Sequence, residues 1–378
     1  MYTVVCVAGA RPNFMKIKPI VDALTKRGAR AVLVHTGQHY DEAMDAVFFR
    51  DLGLPDPDHR LAVGSGSHAE QTARVMTSFE PLLAGLVADA VVVVGDVNAT
   101  VGCALVAAKA GVVVTHVEAG LRSRDWSMPE EINRVVVDRV SDLLFAPSTE
   151  AVGNLHAEGY RPDQVHLVGN VMIDTLLANL GRAQASDALA RFGVSPDGFA
   201  LATLHRPANV DPPEILSGLL AALGEVARLI PVLWPVHPRT AARLGDRPVP
   251  DRVRLVPPAG YLDFIALQAA ARLVLTDSGG VQAETTALGV PCLTLRENTE
   301  WPTTLAAGTN ILVGRDRQTI VAAARQVLAG RPSAARIVPQ AAVRAGERIV
   351  DVLLAHLDRP DRPHPTDRPA TGQLAGVR

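Results

Sequence analysis

Short, unbroken apolar runs recur along this chain. Several end in a glycine or a polar residue before a helical period begins. Residues 4–8 lead into Gly9-Ala10, residues 90–94 into Gly95-Asp96, and residues 273–276 into Asp277-Ser278-Gly279-Gly280. A strand without polar alternation has both faces covered, as in a parallel sheet flanked by helices. Further runs of this kind lie at 31–36, 112–114, 143–146, 164–168, 199–204, 231–236, 254–256, 292–295 and 310–313. Helical periods over 12–27, 68–87, 99–110 and 213–229 fall between them. This alternation predicts an α/β protein built on doubly wound parallel sheets.

With 378 residues, 48 % of them hydrophobic, the chain can fill two cores. The strand pattern restarts near Gly169. The expected organisation is therefore a first Rossmann-like domain over 1–168 and a second over 169–340. A terminal helix over 341–357 is expected to pack back on the first domain. Residues 358–378, rich in proline and charge, read as a disordered tail. A formal net charge of −2 favours neither nucleic acid nor an anionic membrane as partner. Cys6, Cys103 and Cys292 sit in apolar runs without metal-ligand spacing, so they read as buried thiols in a reducing compartment. No signal peptide is evident, and the longest apolar stretch, 82–94, is interrupted by Asp89 and too short for a bilayer. A cytoplasmic protein without a metal site is expected.

Chemistry-bearing residues gather at the ends of the apolar runs, where an open α/β sheet binds its ligand. Residues 115–134, THVEAGLRSRDWSMPEEINR, place Glu118, Arg122, Glu130 and Arg134 around a loop and a helix start. The same stretch also fits a plain structural reading. Ser127 to Glu130 matches a capping box, and Glu130 with Arg134 an i,i+4 pair. At the first turn, Arg11 and Lys16 are placed to reach an anion, although GxGxxG is absent. Ser278, Gly279 and Gly280 open a helix over 281–288 whose free N–H groups suit a phosphate. Glu284, one turn in, suits ribose hydroxyls. The alternative is that Asp277 or Ser278 is an ordinary N-cap. Asp96 is either a cap or a site carboxylate. His205 and His237 close two strands of the second half. Carboxylates from one half and a phosphate loop from the other suit a sugar nucleotide held in a cleft.

These residues carry a resemblance. Gly9-Ala10-Arg11-Pro12 with Lys16, Thr36-Gly37-Gln38-His39, Gly95-Asp96, the run from His116 to Arg122, the run from Pro129 to Arg134, His205-Arg206, Pro235-Val236-His237, and the run from Thr276 to Gly280 with Gln282 and Glu284 appear in order. Together they resemble the non-hydrolysing UDP-N-acetylglucosamine 2-epimerases. The resemblance implies a GT-B arrangement, a homodimer, and interconversion of UDP-GlcNAc and UDP-ManNAc without metal or nicotinamide cofactor. It also implies roles. Ser278, Gly279, Gly280, Arg11 and Lys16 hold the diphosphate, Glu284 the ribose, and Phe264 stacks on uracil. Arg134 and His237 join the binding set, and Asp96, Glu118, Glu130 and His205 form the catalytic group.

The implied route expels UDP by anti elimination across C1–C2 to 2-acetamidoglucal, then re-adds it after protonation of the other face. The C2 proton is not next to a carbonyl, so the leaving group's charge must be stabilised by cations and helix N–H groups. Carboxylates serve the ring and the proton steps. Two departures stand out. Trp301 replaces an arginine that contacts the nucleotide in many members. Glu70 and Asp41 replace residues found in members activated by a second UDP-GlcNAc, so such activation is expected to be weak or absent. The rival readings are a hydrolysing 2-epimerase, a GT-B glycosyltransferase, and a sugar-nucleotide-binding regulator.

Overall fold

The computed structural model describes residues 1–37, 49–330 and 344–359. Gln38-His39, Asp41 and most of the tail lie outside that set. Contacts divide the chain into two units, Met1–Thr175 with Val343–Arg378, and Leu176–Ala342. Gly169 therefore falls inside the first unit.

The first unit carries a parallel sheet of β1 (Thr3–Ala8), β2 (Arg30–His35), β3 (His59–Arg60), β4 (Ala90–Val94), β5 (Val113–Val117), β6 (Leu143–Ala146) and β7 (Val165–Leu167). Its order is β3-β2-β1-β4-β5-β6-β7. Val5, Val7, Val32, Val34, Val91 and Val93 fill one core. Their neighbours Val4, Cys6, Leu33, Val92 and Val94 are equally buried, so both faces of the sheet are covered.

The second unit repeats the plan with β8 (Ala200–Thr203), β9 (Val232–Pro235), β10 (Val253–Val256), β11 (Leu273–Thr276), β12 (Cys292–Thr294) and β13 (Asn310–Leu312). Its order is β10-β9-β8-β11-β12-β13. Ala200, Ala202, Val232 and Trp234 enter one core, while Phe199, Leu201, Leu233 and Val274 enter the other. In each sheet the order reverses once, between β1 and β4 and between β8 and β11. Ligands of such sheets bind outside the carboxyl ends of the strands flanking the reversal.

Some boundaries differ from expectation. β5 runs on through Thr115, His116 and Val117, beyond the end expected at Val114. Thr115 and His116 are polar but fully buried, because their side chains find partners inside. A helix at Thr149–Ala157, not anticipated from the sequence, joins β6 to β7. The helix expected from residue 281 starts at Gly279.

The last helix, Ala345–Leu357, lies against the first, Arg11–Lys26. Lys26 pairs with Glu347 at 2.9 Å and Arg27 with Asp351 at 2.7 Å. A Cβ at Gly346 would meet Pro19 at 2.7 Å, so the two backbones touch there. Pro19 cannot donate to the Met15 carbonyl one turn back; the Thr175 hydroxyl does so instead, at 2.6 Å.

Candidate active site

In the first unit the reversal brings the end of β1 beside the end of β4. Gly9 and Ala10 N–H both donate to Asn13 Oδ1, and Asn13 Nδ2 donates to the Val94 carbonyl. One side chain thus ties the first turn to the tip of β4. The loop amides at Gly9 and Ala10 are thus spent within the protein; the Arg11 side chain lies outside the described set.

Lys16 is buried and ion-paired to Glu118. Burial opposes its charge, but Glu118 and then Asp96 outweigh it and raise its pKa above the ordinary lysine value. Glu118 holds a backbone φ of +72°, a left-handed conformation that costs a non-glycine residue energy. Beside it, Gly95 has φ +69°, and a Cβ there would lie 2.7 Å from Lys16 Nζ. Strained backbone and close approach coincide at the strand tip that carries Asp96.

Asp96 accepts from Arg134 at 2.8 Å and 3.0 Å, and Asn133 Nδ2 donates to its backbone carbonyl at 2.7 Å. Arg134 reaches Asp96 and Glu131 rather than Glu130. The expected Glu130–Arg134 pair is therefore not formed. Glu131 also gathers the Ser123 and Arg124 amides. The capping box is absent too: Met128 is the N-cap, and Ser127 Oγ donates to Asp125. Glu130 is left half-buried, with no hydrogen bond or ion pair to the described residues. Arg122 takes no part in this cluster. It pairs with buried Asp138 and with Glu158. Asp138 also accepts from His116 Nδ1 and the Gly120 amide, while His116 Nε2 faces the Gly95 carbonyl at 2.9 Å.

In the second unit, the end of β8 lies beside the end of β11. His205 Nδ1 stands 3.0 Å from Asp277 Oδ1. Asp277 is fully buried and also accepts from the His205 and Arg206 amides and from Asn209 Nδ2. Burial works to raise its pKa; the His205 contacts and these donors prevail and hold it below the usual carboxylate value. Neither the Asp277 nor the Ser278 side chain caps the following helix, contrary to the capping alternative. Asp277 instead orients His205, whose ring is 6.4 Å from that of His237. The first N–H groups of the helix Gly279–Leu288, which follows the end of β11, have no intrahelical partner. Glu284 is buried one turn in and accepts from Gln268 Nε2 at 2.8 Å. Burial pushes its carboxyl up to about 7. Phe264 is half-buried on the helix Tyr261–Ala270. Asp277 as an orienting group, Gln268, Asn133 and Glu131 escape sequence reasoning. Their partners lie far along the chain or on another turn, and only the strand order joins them.

A family profile for UDP-N-acetylglucosamine 2-epimerases matches residues 22–354. The chain belongs to that family. The UDP-N-acetylglucosamine 2-epimerase of Methanocaldococcus jannaschii is 41 % identical over 358 residues, covering 92 % of this chain and 97 % of the relative. The UDP-2,3-diacetamido-2,3-dideoxy-D-glucuronate 2-epimerase of Pseudomonas aeruginosa is also 41 % identical, over 86 % of this chain and 92 % of its own. A crystal structure of the Methanocaldococcus enzyme in complex with UDP-GlcNAc and UDP superposes with a TM-score of 0.86 at 40 % identity, covering 94 % of this chain and all of that one. The fold is of the GT-B type, with two Rossmann-like units. Glu70, at the position weighed for activation in this epimerase family, closes a capping box with Ser67. Its carboxylate is engaged with the Ser67 amide and hydroxyl. No helix among the described residues is long and apolar enough to cross a membrane.

Proposed function

We propose that the chain interconverts UDP-GlcNAc and UDP-ManNAc without releasing free sugar. The observation that carries the reading is the pairing of His205 with buried Asp277, next in sequence to the start of the helix Gly279–Leu288. An imidazole oriented by a buried carboxylate, next to a helix N-terminus, suits a departing diphosphate. Ser278, Gly279 and Gly280 hold the diphosphate with Lys16 and Arg11. Glu284 takes the ribose hydroxyls and Phe264 the uracil, while His237 lies beside His205. His205 donates to the phosphate oxygen as the C1–O bond breaks, and Asp277 keeps its proton on Nδ1.

The proton steps fall to Asp96 and Glu130. Asp96 is fixed by Arg134 and Asn133, whereas Glu130 is free of partners among the described residues, so the two carboxyls differ in environment as an acid and a base must. Glu118, held by Lys16, supports the developing charge at the ring. Loss of the C2 proton and UDP gives 2-acetamidoglucal; protonation of the opposite face and return of UDP at C1 give the epimer. We place the enzyme in the cytoplasm as a homodimer. Three free, buried cysteines and the family resemblance support this.

Proton NMR of the purified protein with UDP-GlcNAc in D2O tests the reading. UDP-ManNAc should appear with deuterium at C2 of both epimers, and Glu130→Gln should lower the rate at least a hundredfold. Free ManNAc with UDP would overturn it in favour of a hydrolysing enzyme. The equal identity to the Pseudomonas relative makes the 2,3-diacetamido glucuronate the second substrate to offer. Faster exchange at C2 of that sugar than of UDP-GlcNAc would reassign the sugar and keep the chemistry.

A further inference from the structure

At the start of the helix Gly279–Leu288 the second unit already holds an anion of its own. Glu300 is only 6 % exposed. One of its carboxylate oxygens is 3.2 Å from Arg206 Nη2 and the other 2.7 Å from Arg296 Nη1. A Cβ at residue 279 would stand 2.1 Å from Glu300 Oε1. The carboxylate therefore rests on the first residue of the helix, in space that only a glycine leaves open.

Arg206 is anchored on the same spot, its Nε donating to the Asp277 carbonyl at 3.1 Å. Two guanidiniums and a helix N-terminus converge on one carboxylate, a donor set that suits a phosphate equally well. Trp301, next in the chain, is itself buried and brings no charge to this corner. Arg296 is 4 % exposed, and burial works against its charge, so it needs an anion at all times.

We infer that Glu300 is an internal stand-in for the substrate's diphosphate, and that Arg206 and Arg296 are diphosphate ligands which the substrate takes over as Glu300 withdraws. The inference rests on the UDP-sugar reading above and adds to it two ligands and a competitor. Glu300 keeps the arginines paired in the empty protein and lowers the affinity for diphosphates by the fraction of time it occupies their place. A neutral nucleoside gains nothing from displacing it.

Calorimetric titration of the full chain with UDP and with uridine tests this. Glu300→Gln should bind UDP about tenfold more tightly than the unaltered chain, with uridine affinity unchanged, if Glu300 is in place about nine-tenths of the time. Arg206→Gln should weaken UDP at least tenfold and leave uridine alone. Equal or weaker UDP binding by Glu300→Gln would overturn the stand-in role, and unchanged UDP binding by Arg206→Gln would overturn the ligand role. Should Glu300→Gln fail to fold, Glu300→Asp, whose carboxylate is one methylene farther back, must still show tighter UDP binding or the inference fails. Absence of UDP binding by the unaltered chain would instead remove the underlying reading.

Discussion

Replacing Asp138 with asparagine separates charge from shape at the centre of the first unit. Asp138 is fully buried, 2.6 Å from His116 Nδ1 and 2.8 Å from Arg122 Nη2, with the Gly120 amide at 3.1 Å. The carboxamide of Asp138→Asn fills the same space but leaves Arg122 and His116 without this anion. Removing one partner of a buried ion pair costs about 3–5 kcal/mol. Arg122 keeps Glu158, so the lower end, about 3 kcal/mol, is expected. Hydrogen exchange with mass spectrometry reads this locally, since the two units need not unfold together. Amides of β5 and of residues 118–120 should exchange about a hundredfold faster, while those of β8 and β11 keep their rates. The pH dependence follows from the carboxyl, held below its ordinary value by His116 and Arg122 against the cost of burial. A depressed carboxyl stabilises above its unfolded pKa and loses that contribution in acid. The gap between the two proteins should thus be full at neutral pH and close as pH falls below about 4. A less than tenfold change in β5 exchange at pH 7 would refute the claim that this carboxylate holds the strand end together.

Glu284 is raised to about 7 by burial; on the proposed role, in which its ionised form accepts the ribose hydroxyls, phosphate-free uridine should bind about tenfold more tightly at pH 8 than at pH 6. Glu284→Gln should abolish that dependence; calorimetry at the two pH values decides. The same raised carboxyl stabilises the empty second unit below about pH 4 and loses that contribution as pH rises through 7, so thermal unfolding should show Glu284→Gln gaining stability chiefly at pH 8. Asp277→Asn should lower kcat about a hundredfold with little change in KM for UDP-GlcNAc, since His205 loses the carboxylate that orients its ring; steady-state rates within threefold of the unaltered chain would contradict that role.

The strands are legible because each is buried on both faces and shows as a bare apolar run. β4 and β11 match their runs residue for residue. β5 is longer than its run because His116 looks like a strand-ending polar residue; only Asp138, a helix away, and the Gly95 carbonyl make it a core residue. Helical spacing marks Glu130 as the neighbour of Arg134, but spacing names who can meet and not who wins. Asp96, brought alongside by the β4–β5 pairing, and Glu131 take the guanidinium. Asp277 looks like a cap for the same reason: its true partner, His205, is local only through the β8–β11 pairing. Glu300 gives no signal at all, since nothing in its neighbours along the chain tells of the glycine it rests on.

The split of the first unit sets an order on its birth. On the ribosome, residues 176–342 emerge as one continuous length and can fold as soon as they are complete, as domains generally do. The carboxylate-bearing unit, although begun first, waits for the helix Ala345–Leu357. Until then the groove at Pro19 is open to water, and Lys26 and Arg27 lack Glu347 and Asp351. The unit that carries His205 and Asp277 is ready before the one that carries Asp96 and Glu130, and a polypeptide truncated just short of the helix Ala345–Leu357 would possess the former without a sealed version of the latter.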